Sequence, residues 1–232
     1  MFLKKKNITA IPLIKKNKLK KIVYRNEIFT NKNNFSKEYK KFDVVIMAGG
    51  YGKRLLPLTK NIPKCLVNIN KKNKIIDVIL KKYLSFKLDN FLFITYHLSK
   101  KIENFLQRNY TKKLNFKIIR EKKKLGTAGG LKYLKEIKTT DNVILTNSDV
   151  ISNIDLDDLQ KFHKKKNSDF TIVTKSQNLK LEFGQIKNLS ESLVGIEEKP
   201  NIQYVVNAGI YIFNRKILKH VRSKIDIPDL IN

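Results

Sequence analysis

The segment that most restricts the fold is Phe42-Asp-Val-Val-Ile-Met-Ala48, a nearly unbroken apolar run that ends on Gly49-Gly50. A strand that is apolar on both faces must be covered from both sides, as a central strand of a parallel sheet is. The glycines after it predict a tight loop where the chain leaves the sheet. Downstream, the pattern alternates. A helical period spans 74–86, an apolar strand 91–97, a helix 100–109 and a strand 116–120. A helix then begins near 127, followed by a strand over 143–147 and a helix over 156–166. This alternation predicts an α/β fold with a mostly parallel sheet flanked by helices. From 170 the chain turns strand-rich (170–175, 184–187, 194–197, 204–213), which predicts antiparallel additions and a mixed sheet. Residues 1–30 read as a strand-rich arm, 31–41 as a polar linker and 42–232 as the main domain.

Charge narrows the function. Lys and Arg number 49 against 20 Asp and Glu, a net +29. That excess invites a nucleic-acid reading, yet only six of the basic residues are Arg, and the lysines are scattered along the whole chain. Base edges and phosphate forks are read best by Arg, so no nucleic-acid partner is expected. What remains is a positive field that attracts small anions. One cysteine, Cys65, excludes a disulfide scaffold and a Cys-based zinc site and suits a reducing, cytoplasmic setting. Cys65 itself reads as a small packing residue. No apolar run approaches the roughly 20 residues of a membrane span, and Lys15-Lys16 cuts the early stretch short, so neither membrane nor export is expected. His97, His163 and His220 follow no metal spacing and read as surface or strand-end residues.

The loop Met47-Ala-Gly-Gly-Tyr-Gly-Lys-Arg54 fails two familiar phosphate patterns. A P-loop needs Gly at 47 and Ser or Thr at 54, where Met and Arg stand. A dinucleotide fingerprint begun at Gly50 needs Gly at 55, which is Leu. Taken alone, the segment is balanced between an anion cradle of main-chain amides, with Lys53, Arg54 and Lys64 around it, and an ordinary glycine turn.

The longer stretch Gly49-Gly-Tyr-Gly-Lys-Arg-Leu-Leu-Pro-Leu-Thr-Lys-Asn-Ile-Pro-Lys-Cys-Leu66 resembles the signature of the sugar nucleotidyltransferases, G-G-x-G-T-R-L-x-P-L-T followed by P-K-P/A-L. Lys53 departs from the usual Thr and Cys65 from the usual Pro or Ala. Further pieces match in order: Leu125-Gly-Thr-Ala-Gly-Gly130, Thr146-Asn-Ser-Asp149, Phe183-Gly184, Glu197-Glu-Lys-Pro200 and Asn207-Ala-Gly209. The resemblance covers about 42–232 and implies a Rossmann-like (GT-A-like) domain. It also implies transfer of a nucleoside monophosphate from an NTP to a sugar 1-phosphate, with release of pyrophosphate. Ala48, Gly49, Gly50, Gly52, Lys53, Gly126 and Thr127 are implied at the nucleotide. Arg54, Lys64 and Asp149 are implied as catalytic, with Asp149 holding Mg²⁺. Gly184, Glu198, Lys199 and Asn207 are implied at the sugar phosphate.

The overall look is nearest to guanylyltransferases acting on mannose-, heptose- or hexosamine-type 1-phosphates, which implies GTP and a role in surface-polysaccharide or glycan precursor synthesis. Residues 11–27 resemble the end of a CBS regulatory domain. Relatives continue to a W-x-D-x-G-like segment, while this chain stops at Asn232, so the domain is expected to be truncated at its C-terminus. Asp226 and Asp229 sit in the wrong context to replace that second metal ligand. Two rivals follow: a non-catalytic nucleotide-sugar sensor or inactive fragment, and a basic nucleic-acid binder. A homo-oligomer is left open.

Overall fold

The computed structural model describes residues 10–15, 18–24, 42–189, 192–222 and 224–231. In the N-terminal arm, β1 (Ala10–Lys15) pairs antiparallel with β2 (Lys18–Tyr24) as a separate two-stranded sheet. The predicted linker 31–41 lies outside the described residues.

The main domain is α/β, as the alternation predicts. Its strands and helices are β3 (Asp43–Ala48), α1 (Ile75–Ser85), β4 (Asn90–Thr95), α2 (Ser99–Tyr110), β5 (Asn115–Arg120), β6 (Asn142–Asn147), α3 (Leu156–Lys166), β7 (Phe170–Lys180), β8 (Gln185–Leu189), β9 (Ser192–Glu197), β10 (Asn201–Asn214) and α4 (Ile227–Ile231). Six of the strands form one sheet in the order β5-β4-β3-β6-β10-β7. The neighbours β5, β4, β3 and β6 run parallel, and β10 runs antiparallel to both β6 and β7. The strand-rich tail thus divides, β7 and β10 joining the main sheet and β8 and β9 forming a separate antiparallel pair.

The order explains where a ligand belongs. The chain moves from β3 outward through β4 to β5, then returns to the other side of β3 with β6. At such a reversal the connections leave on opposite faces and open a crevice at the carboxyl ends of the strands. Here those ends carry Gly49-Gly50 and Ser148-Asp149.

Alternation along the strands builds two cores. Val44, Ile46, Phe91, Phe93, Ile144 and Ile212 face α1, α2 and α3. Val45, Leu92, Ile94, Val143, Leu145 and Phe213 face Leu131, Leu134, Leu218 and Ile227 on the other side. Each fully buried side chain of this size contributes about 1.5–3 kcal/mol. The one charge in β3, Asp43, is buried at the opposite rim. There its carboxylate accepts from the Thr140 amide at 2.9 Å and from Asn90 Nδ2 at 2.5 Å.

Two expectations change. The helix predicted from Thr127 is a 3-10 helix, Gly129–Glu136. Its entry amides, Ala128 and Gly129, which like all helix-start amides lack an acceptor within the helix, donate to Ile225 O. His163, expected at the surface, is buried at 2 % exposure on α3. Its ring nitrogens lie 2.8 Å from Thr171 Oγ1 and 3.2 Å from Asn142 Oδ1, so it is a hydrogen-bonded core residue. Burial lowers its pKa.

Candidate active site at the carboxyl rim

The glycine loop is shaped by its own motif. Gly52 lies in the left-handed region at φ 67°, where only glycine is comfortable. A Cβ there would sit 2.9 Å from Thr59 Cγ2 and 3.3 Å from Lys64 Cβ. Buried Thr59 donates from its hydroxyl to Gly52 O at 2.8 Å. The loop, the Pro-Leu-Thr segment and the motif lysine are therefore one packed unit. Gly50 is different: a Cβ there would meet nothing within 4 Å. Arg54 is exposed on the 3-10 turn Lys53–Leu55, and among the described residues no hydrogen bond or ion pair holds its guanidinium.

From the neighbouring strand, Ser148 N donates to Met47 O at 3.1 Å, which extends the β3–β6 ladder and carries Asp149 to the rim. Lys64 Nζ and the Asp149 carboxylate form an ion pair, their side chains 29 % and 32 % exposed. Two predicted catalytic groups thus meet beside the glycine loop. Cys65, next to Lys64, is buried and its thiol is pushed up to about 12 by burial, so it stays protonated and serves as packing.

Gly126 and Thr127 lie at the mouth of the 3-10 helix. Thr127 is exposed, and both its amide and its hydroxyl donate to Asp226 Oδ1, at 2.6 and 2.9 Å. Its hydroxyl also accepts from Ile227 N at 2.9 Å. Asp226, read from the sequence only as an unsuitable metal ligand, is therefore a structural partner of the motif.

A second acid escaped the sequence reading. Glu121 follows β5 at the same rim and is 9 % exposed, with Oε1 buried and lacking a hydrogen-bond partner. Cβ atoms on Gly49 and Gly130 would come within 3.0 and 2.8 Å of its two oxygens. Burial pushes its carboxyl up to about 7, against a lowering by the Lys132 charge. The rule that singled out Asp149, an acid at a strand's carboxyl end, also fits Glu121. Tyr51 joins these loops too: Lys124 Nζ lies 5.7 Å from its ring centre, and the His97 ring, tilted by 44°, lies with its centre 4.8 Å away.

The residues implied at the sugar divide into two groups. Asn207 and Gly209 sit on β10 where its pairing with β7 slips by a bulge, and Gly209 takes φ 75° there. A Cβ on Gly209 would strike Asn147 Nδ2 at 2.7 Å, so this motif abuts the end of β6. Asn207 donates to Tyr211 Oη at 2.7 Å and accepts from Gly209 N at 2.9 Å. Gly184 and Glu198 lie together by the β8–β9 pair, a Gly184 Cβ falling 3.1 Å from Glu198 Oε2. Lys199 is exposed at φ 45°. Among the described residues no hydrogen bond or ion pair joins Gly184, Glu198 or Lys199 to Lys64 or Asp149.

Another cleft, of about 850 Å³, lies at the opposite rim and is lined by Lys135, Asp141, Asn214, Arg215, Lys216, Leu218 and Lys219. It holds none of the motif residues. Arg215 spends its donors on Ile137 O, Thr139 Oγ1 and Lys135 O, closing its own wall.

A nucleotidyl transferase family model matches residues 43–229. The chain belongs to the nucleotidyl transferase family. Mannose-1-phosphate guanyltransferases of Yarrowia lipolytica and Gibberella zeae are each 34 % identical to it, over 181 and 193 residues. Those alignments cover 75 % and 78 % of this chain and 50 % and 51 % of the relatives. The chain thus spans about half the length of these curated relatives. Among solved structures, HddC from Yersinia pseudotuberculosis complexed with GMP-PN superposes with a TM-score of 0.62 at 23 % identity, covering 80 % of this chain and 82 % of that one. UDP-glucose pyrophosphorylase complexed with UDP-glucose gives 0.60 at 20 %, covering 82 % and 85 %. These two share the nucleotidyl transferase fold. Among the described residues no helix is long and apolar enough to cross a membrane.

Among the described residues no group of three or more acidic, His or Cys side chains gathers to hold a metal. Of the two strand-end acids at the rim, Glu121 is buried, which leaves Asp149 as the one accessible carboxylate donor. That suits Mg²⁺, which keeps several waters and takes one or two carboxylates plus substrate phosphates.

Proposed function

We propose that the chain transfers a nucleoside monophosphate from a triphosphate, GTP by preference, to a sugar 1-phosphate of the mannose type, giving a nucleotide sugar for glycan synthesis. The observation that carries the reading is the Lys64–Asp149 pair, packed against Gly52 at the reversal point of the sheet.

Both reactants are anions, so the work of the protein is positioning and charge neutralisation. An oxygen of the sugar phosphate attacks the α-phosphorus. The bond to the bridging β-oxygen breaks, and pyrophosphate leaves with the electron pair. The attacking phosphate is ionised near pH 7 (its second pKa being about 6), so no side chain has to remove a proton. Arg54, exposed and unpaired among the described residues, neutralises the leaving β/γ-phosphates. Lys64 holds the α- or sugar phosphate, and Lys199 orients the nucleophile. Mg²⁺ held by Asp149 and the phosphates would supply further charge neutralisation.

The matched relatives named as guanyltransferases support the preference for GTP.

The test is pyrophosphate release across the four triphosphates and a panel of sugar 1-phosphates with Mg²⁺. Release that is fastest with GTP and a mannose-type phosphate fits the reading. Nucleotide binding without release makes the chain a sensor instead.

A further inference from the structure

The C-terminal segment 225–227 grips the Leu125–Gly130 loop along its length. Ile225 O accepts from Ala128 N at 3.0 Å and from Gly129 N at 3.1 Å, and Ile225 N donates to Leu125 O at 3.1 Å. Gly126 sits at φ 86°, and a Cβ there would lie 2.5 Å from Ile225 O, so only glycine lets the two segments lie this close. Asp226 supplies the polar centre of the contact. Its Oδ1 takes both the amide and the hydroxyl of Thr127, and the same hydroxyl receives Ile227 N.

Two consequences follow for a residue implied at the nucleotide. The Thr127 hydroxyl has given its one proton to Asp226, and the amides of Thr127, Ala128 and Gly129 all face the strap. None of these donors is left for a nucleotide, so the loop serves the ligand by where it stands. Its far end stands against Glu121. Gly130 approaches so closely that a Cβ would meet Glu121 Oε1 at 2.8 Å, while the other oxygen, Oε2, faces Gly49 at 3.0 Å. A continuous series of contacts therefore runs from Asp226 through Thr127 and Gly130 to Glu121 and the glycine loop.

We propose that Asp226 is a positioning residue for the nucleotide pocket, fixing the Leu125–Gly130 loop through Thr127 and, through Gly130, the placement of Glu121. The proposal rests on the nucleotidyltransferase reading of the same site. A carboxylate suits the position because both of its bonded partners are donors, and an ionised acceptor strengthens each bond. A carboxamide can still accept through its oxygen but loses the charge, and alanine loses the acceptor altogether.

The experiment uses the full chain and the variants Asp226→Asn, Asp226→Ala, Thr127→Val and the Thr127→Val/Asp226→Ala double. GTP with Mg²⁺ is titrated by calorimetry without sugar phosphate, and steady-state turnover and hydrogen exchange are measured alongside. Asp226→Ala is expected to weaken GTP binding and raise its KM about tenfold, the scale of one lost charge-assisted hydrogen bond. Asp226→Asn is expected to fall between Asp226→Ala and wild type. kcat and the KM for sugar phosphate are expected to stay within about twofold, and the double variant to be no worse than the worse single, because the two residues form one contact. Exchange at the Thr127–Gly129 amides is expected to speed up while β3 and β6 remain protected.

A uniform loss in kcat and both KM values that tracks melting temperature overturns the proposal, as do additive singles or unchanged loop exchange. A wild-type chain that binds GTP but releases no pyrophosphate overturns the functional reading alone. One that binds no triphosphate overturns both.

Discussion

Lys64 and Asp149, 85 residues apart in sequence, meet as an ion pair at the point where the sheet reverses its direction of growth. With both side chains about a third exposed, such a pair contributes only about 0–1 kcal/mol to stability. That small value makes substitution informative, because a variant at either position stays folded. Asp149→Ala and Arg54→Ala are each expected to lower the rate about 10²-fold or more, the cost of one preorganised electrostatic group. Melting temperature should move little. Near wild-type pyrophosphate release from folded Asp149→Ala would show that the pair is only a surface contact.

Gly50 and Gly130 separate two uses of glycine. A methyl group at Gly130 would strike Ile94 Cγ2 at 2.6 Å and Glu121 Oε1 at 2.8 Å. Gly130→Ala is therefore expected to cost about 1–3 kcal/mol of stability, the usual range for overpacking. At Gly50 the methyl group meets open space, and Gly50→Ala should leave stability within about 0.5 kcal/mol. If a phosphate lies against that backbone, Gly50→Ala still raises the KM for triphosphate. Thermal melts beside steady-state kinetics check both variants, and an unchanged KM in Gly50→Ala would remove the cradle.

Glu121 makes stability depend on pH. Its carboxyl is pushed up to about 7 in the fold, from 4.5, chiefly by burial. Between those values the native state holds a proton that the unfolded chain has released, so stability falls as pH rises through this window. Above about 7 the full cost of the buried charge is present. Glu121→Gln removes that cost, and its melting temperature relative to wild type should be higher at pH 8 than at pH 5. An equal difference at both pH values would contradict the buried carboxyl.

His163 has the opposite sign. Burial lowers its pKa below 6.5, so the unfolded chain binds the proton more readily and stability falls as pH drops below about 6.5. In denaturant titrations His163→Gln should flatten the decline between pH 7 and 5. A decline as steep as wild type would place the acid sensitivity elsewhere.

How much of this was legible in the sequence depends on range. The Phe42–Ala48 run, the glycines after it and the α3 limits Leu156–Lys166 follow from local pattern and were read directly. Alternation placed Asp149 at the carboxyl end of a parallel strand, but the strand order that sets it beside the glycine loop comes from the structure. Other features depend on long-range partners. Asp226 meets Thr127 across 99 residues, and nothing in Ile225-Asp-Ile-Pro announces that contact. The 3-10 form of Gly129–Glu136 is likewise not written in the local pattern, nor is the capture of the Ala128 and Gly129 amides by Ile225 O. His163 occupies a polar place on the lysine-rich helix α3, and only Asn142 and Thr171 from neighbouring strands make its burial intelligible. Glu121 was within reach, since a strand-end acid five residues before Gly126 obeys the rule applied to Asp149.

The most direct test of the central claim is pyrophosphate release from GTP and mannose 1-phosphate with Mg²⁺, measured for the wild-type chain beside Asp149→Ala. The account predicts sustained release by the wild type and a rate lower by about 10²-fold or more in the variant. Equal release by the two folded proteins, or none from the wild type with any of the four triphosphates and the sugar 1-phosphate panel, would contradict it.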